Sequence, residues 1–96
     1  MLRTKSPPPP ADDVLALQAL AAVAACPDLG PRFLALTGLD ADGLRARAAD
    51  PALLAEVIAF LAGHEASLIR IADQLTVPPA ALAAAGSRLA EKGGAR

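Results

Sequence analysis

His64 stands beside Glu65, and a histidine next to a carboxylate is the one pairing in this 96-residue chain that could begin acid–base or metal chemistry. A zinc site takes three or four protein ligands, usually His and Cys with some Asp or Glu. His64 is the only histidine and Cys26 the only cysteine, so the set cannot be completed from imidazole and thiolate. A histidine at a joint between helices is expected to be solvated or capping. Cys26 has no base near it in sequence and follows an alanine-rich run, which predicts an inert thiol rather than a nucleophile. Ser67 and Ser87 lack the Gly-x-Ser-x-Gly pattern of a strand-to-helix elbow. No glycine-rich loop followed by lysine is present to cradle phosphate. The residues therefore predict no enzyme, no metal and no cofactor.

The remaining polar chemistry is charge. Arg32, Arg45, Asp50, Glu56, Glu65 and Arg70 fall at the ends or edges of apolar segments. The expected role is structural, with Arg32, Arg45, Asp50 and Glu65 as a charged network holding helix ends. Exposed pairs of this kind contribute roughly 0–1 kcal/mol each. The functional alternative is a charged rim around a partner-binding groove. One motif invites a nucleic-acid reading. Ile71, Ala72, Leu75, Val77, Leu82 and Ala85 fall where a helix-turn-helix places small and apolar residues, although Thr76 stands where the turn commonly has Gly. The would-be reading helix presents Pro79-Ala80-Ala81 and Ala83-Ala84, whereas base readout needs Arg, Lys, Asn or Gln. Arg88 and Lys92 could touch phosphate only weakly. A net charge of −1 gives no electrostatic footprint for DNA or anionic lipid.

These residues are positioned by helices. The chain holds 25 Ala and 16 Leu, with few β-branched and aromatic residues, and 54% of it is hydrophobic. That composition predicts an all-α fold, a compact orthogonal bundle of five to six short helices, in one domain over residues 11–91. The first helix spans about Asp12 to Ala25, capped by Asp12 or Asp13. Leu17, Leu20, Ala21 and Ala24 share one face and Val14, Leu15 and Val23 wrap round the rest, so it is expected to be central and buried. After Pro27 a short helix runs to Thr37, with Gly38 as its cap. Asp40 caps a third helix, Ala41 to Ala49, with Leu44 and Ala48 inward. Asp50-Pro51 is a capping Asp followed by Pro at the first helical position, opening a nearly all-apolar helix to about Ala62. The fifth helix, Glu65 to Leu75, turns Leu68, Ile71, Ala72 and Leu75 inward, and Val77-Pro78-Pro79 ends that segment. The sixth, Pro79 to Glu91, buries Leu82, Ala85, Gly86 and Leu89. Residues 1–10, with four consecutive prolines, and 92–96 are expected to be disordered tails.

No uncharged stretch approaches the ~20 apolar residues that span a bilayer. Val23-Ala24-Ala25-Cys26 resembles a lipoprotein cleavage box. Pro7 to Pro10 and Asp12-Asp13 interrupt the required leader, so a buried helix ending at Pro27 is expected instead. One cysteine cannot form an internal disulfide, which fits a reducing compartment. Arg outnumbers Lys seven to two, as GC-rich bacterial coding produces.

Arg32-Phe33-Leu34, Thr37-Gly38-Leu39, Leu44-Arg45, Ala49-Asp50-Pro51, Val57, Phe60-Leu61, Glu65 and Pro79 carry a family resemblance over about Ala16 to Leu89. In these residues the chain resembles a small bacterial family known only as domain of unknown function 3572. The resemblance implies an all-helical domain in a bacterial cytoplasm with no assigned activity. The family pattern has acidic residues where Ala59 and His64 stand here, which leaves Glu65 alone and carries over no catalytic residue. The resulting expectation is a non-enzymatic protein–protein interaction module, partnered by another protein or by itself as a homodimer. The alternative is a degenerate helix-turn-helix DNA-binding protein; nucleic acid and membrane are not the expected partners.

Overall fold

The computed structural model describes residues 11–94, and the tail expected over residues 1–10 lies outside them. Six helices fill that span, and no strand occurs among the described residues: α1 (Asp12–Ala25), α2 (Leu29–Thr37), α3 (Ala41–Ala46), α4 (Pro51–Ala62), α5 (Glu65–Gln74) and α6 (Pro79–Gly94). The chain bends by 109° from α1 to α2 and by 117° from α4 to α5, so consecutive helices cross steeply and fold back over one another. The all-α bundle expected from composition is the observed architecture.

Local chemistry explains the boundaries. Asp50 is extended, its carboxylate accepts the Ala52 N–H at 3.0 Å, and Pro51 occupies the first helical position. Asp40 caps α3 in the same manner, accepting the Gly43 N–H at 2.8 Å. Gly38 ends α2 at φ 75°. Helix α1 spans Asp12–Ala25 as expected but is capped differently, and α3, α5 and α6 end elsewhere than expected, α5 at Gln74 rather than Leu75. Helix α1 begins with Asp12 already helical and Ala11 at the cap position, because the Asp12 carboxylate is engaged by Arg88 of α6 instead of its own backbone. Helix α3 stops at Ala46 rather than Ala49: residues 47–49 form a turn closed by the Asp50 N–H on Arg47 O at 2.9 Å, and Asp50 alone is extended to cap α4. Helix α6 continues to Gly94, past Glu91, placing Lys92 in its last turn where a cation meets the negative helix end.

The core is apolar throughout: no polar or charged side chain is buried among the described residues. Helix α4 is its centre, burying Leu53, Leu54, Ala55, Val57, Ile58 and Leu61. Leu82, Ala85, Gly86 and Leu89 of α6 close on it, as their spacing predicts. Gly86 sits so near α4 that a Cβ there would lie 2.5 Å from Cγ2 and 2.8 Å from Cβ of Ile58. Phe33 of α2 seals one end, its ring 5.3 Å from that of Phe60.

Helix α1 departs most from expectation. It buries Leu15, Ala16, Ala19, Leu20 and Val23, whereas Leu17, Ala21 and Ala24 face outward. Val14 is 46% and Leu17 45% exposed. The helix is apolar on two opposite faces, and the other five helices cover only one of them.

Candidate functional site

Three places bring chemically useful groups together. The first surrounds Cys26, in the turn between α1 and α2. Its sulfur accepts the Leu29 N–H at 3.5 Å and a guanidinium N–H of Arg70 on α5 at 2.9 Å. The Leu29 amide, then the Asp28 amide, and behind them the charge of Arg70 hold the thiol below its ordinary range. Arg70 lies 44 positions away in sequence, and nothing in the linear pattern pairs it with a cysteine. The sulfur is half-buried at the edge of a shallow depression shared with Ala22, Arg70 and Gln74. Among the described residues its hydrogen-bond partners are all donors, which stabilise a thiolate without accepting a proton.

The second is the His64 corner. His64 holds the N-cap position of α5 with no side-chain cap bond. It is exposed, its ring 6.5 Å from that of Phe60. Arg32, Leu36 and Phe60 share an open hollow with it. Glu65 is exposed in the first turn of α5. No three His, Cys, Asp or Glu side chains gather where they could hold a metal among the described residues.

The third is a groove between α1 and α3, about 490 Å³, walled by Leu17, Leu20, Ala21 and Ala24 on one side and Leu44, Arg45 and Ala48 on the other. A smaller hollow of about 210 Å³ continues it past Val14 toward Asp13 and Leu54. Apart from Asp13 at one end and Arg45 on the far wall, the lining is hydrocarbon. The signal for this surface was present in the sequence. Val14, Leu17, Ala21 and Ala24 recur at three- and four-residue steps, the spacing of a second helical stripe. A helix that is apolar from Val14 to Ala25 save for Gln18 does not announce which stripe will be covered.

The structure does not pair the four charged residues expected to form a network with one another. Arg45 bonds Asp42 at 2.9 Å, and Asp50 bonds Arg47 at 3.0 Å. Arg32 lies in the His64 hollow and Glu65 at the start of α5. Partners three residues away on the same stretch of chain are nearer than another helix. The cross-helix ion pair is instead Asp12 with Arg88, at 2.7 and 2.9 Å, which lowers the carboxyl's proton affinity chiefly through that hydrogen bond.

The α5–α6 segment, the place of the helix-turn-helix alternative, turns through a left-handed residue. Thr76 adopts φ 60°. The Thr76 N–H reaches Asp73 O at 3.1 Å, and the Val77 N–H reaches Ala72 O at 3.0 Å. This is a Schellman ending with threonine where glycine is usual. The side chains α6 turns outward include Ala80, Ser87 and Arg88, and Arg88 is held by Asp12.

No curated protein and no solved structure matches this chain. Residues 10–92 match the family described as "Protein of unknown function (DUF3572)". The residues that carried the resemblance, from Arg32 to Pro79, all lie within that span, and the chain belongs to this family.

Proposed function

We propose that this chain is a non-enzymatic helical interaction module that works in the bacterial cytoplasm and receives a partner protein in the groove between α1 and α3. The observation that carries this reading is the outward apolar stripe of α1, with Val14 and Leu17 nearly half exposed beside a concave hydrocarbon wall. Burying such a surface is favourable by about 25 cal/mol per Å² of apolar area, and contiguous exposed apolar patches mark interaction sites more often than they occur by accident. That the hydrogen-bond partners of Cys26 among the described residues are all donors, and that His64 is exposed with no side-chain cap bond, supports a binding role over a catalytic one.

The test compares wild type with Leu17→Glu as purified baits, followed by titration of each against the purified captured protein. A protein that binds wild type and loses at least tenfold affinity for the variant, about 1.4 kcal/mol, supports the module. Equal binding by both baits, or no specific partner and no self-association, overturns it. Binding of duplex DNA that weakens steeply with salt would favour the helix-turn-helix alternative, for which the left-handed turn at Thr76 is the supporting observation.

A further inference from the structure

We propose, on the basis of the docking-surface reading above, that the occupant of the α1 face is a second copy of this chain, with the two α1 helices packed antiparallel about a two-fold axis at the level of Ala19. Size and charge on α1 both select this arrangement. The outward stripe reads large, large, small, small: Val14, Leu17, Ala21, Ala24. In an antiparallel pair centred at position 19, Leu17 of each copy meets Ala21 of the other and Val14 meets Ala24. Every bulky side chain then faces a methyl-sized one, on both sides of the axis at once, as a self-complementary two-fold interface requires. A parallel in-register pair sets leucine on leucine at one end and leaves alanine against alanine at the other, so the helices cannot close evenly along their length.

The charges agree. Helix α1 carries its only two charges, Asp12 and Asp13, in its first turn, and is uncharged from Val14 to Ala25. Asp12 is occupied by Arg88, leaving Asp13 at the mouth of the groove. Parallel pairing would put Asp13 against Asp13. Antiparallel pairing separates them by twelve residue positions, about 18 Å along the helix. It also carries each Asp13 toward the opposite copy's groove wall, whose cation is Arg45. That guanidinium is bonded only to Asp42 among the described residues, and both side chains are largely exposed, so it can turn to a new carboxylate. The antiparallel order opposes the two helix dipoles as well.

Sedimentation equilibrium of the full chain tests the proposal. Wild type is expected to give twice the 9.6 kDa chain mass, falling to one chain mass in Leu17→Glu with helical circular dichroism retained. Ala21→Arg, also on the exposed stripe, gives the same readout should Leu17→Glu fail to fold. Register is tested in a Cys26→Ser background. An equimolar mixture of Val14→Cys and Ala24→Cys chains is expected to form a disulfide under mild oxidation, since opposed positions come within the ~4.4–6.8 Å Cα reach of that bond. Val14→Cys alone is not, its two copies lying about 15 Å apart along the axis. A monomer throughout a series reaching about 1 mM, a dimer indifferent to Leu17→Glu, or self-crosslinking of Val14→Cys overturns the pairing. If wild type is monomeric yet a purified heterologous protein binds it and not Leu17→Glu, the second copy is excluded and the docking surface stands. Loss of both removes the docking surface too.

Discussion

Cys26 shows how a residue without catalytic company can still be chemically distinct. Two backbone amides at the start of α2 and the guanidinium of Arg70 all favour the thiolate. The pH midpoint of its alkylation by iodoacetamide is expected below the ordinary thiol value of 9.0. Replacing Arg70 with leucine should move that midpoint upward only part of the way, because the Leu29 amide is the larger influence. A midpoint unchanged by unfolding in denaturant would show that the fold does nothing to this thiol. Thr76 is the second residue whose setting departs from its type. A β-branched side chain at φ 60° is strained by about 1 kcal/mol or more, and its two backbone hydrogen bonds do not depend on the side chain. Thr76→Gly should therefore stabilise the domain by about 1 kcal/mol, less what glycine adds to the freedom of the unfolded chain. Chemical denaturation measures the difference, and a destabilised variant would mean that the threonine side chain contributes packing that the geometry does not reveal.

At the scale of elements, much of the fold is legible in the sequence. The reason is that its punctuation is local: Asp50-Pro51, Gly38 and Val77-Pro78-Pro79 act on their own backbone and need no tertiary context. The inward face of α6 is equally legible, because Leu82, Ala85, Gly86 and Leu89 are the only positions at helical spacing that combine bulk with a gap. That gap has a purpose in the packing, since α4 and α6 close on each other at Gly86. A Cβ at position 86 meets the branched carbon of Ile58 itself, not the far end of a flexible chain, so one helix must move. Gly86→Ala is expected to cost about 1–3 kcal/mol despite alanine's better helix propensity. Adding Ile58→Ala removes the Cγ2 contact but keeps the Cβ at 2.8 Å and opens a cavity at a buried position, so the double variant should not regain wild-type stability. What the sequence hides is of a different kind. The Cys26–Arg70 contact and the Asp12–Arg88 pair join residues 44 and 76 positions apart. The buried side of α1 is hidden because both of its faces are hydrocarbon. Periodicity chooses a face only when the opposite one is polar.

For the whole molecule, these facts bear on how a short alanine-rich chain stays folded. The buried core includes Ala16, Ala19, Ala55, Ala72 and Ala85, each of which removes little apolar surface from water. Among the described residues no buried polar network adds specificity, and the ion pairs lie at the surface. Stability then rests on a modest hydrocarbon core, while a second hydrocarbon face on α1 remains uncovered in the single chain. Covering that face with a second copy adds burial that the monomer cannot supply, and mass action makes the gain depend on concentration. The thermal midpoint of wild type is therefore expected to rise as the protein is concentrated. In Leu17→Glu it should stay constant and match the dilute wild-type value, because the substituted side chain is nearly half exposed in the monomer and its loss costs the core little. Calorimetry across two orders of magnitude in concentration separates the cases. Parallel rises in both proteins would place self-association elsewhere on the surface. A flat wild-type series would mean that this small core suffices alone and that α1 keeps its outer face for a different protein.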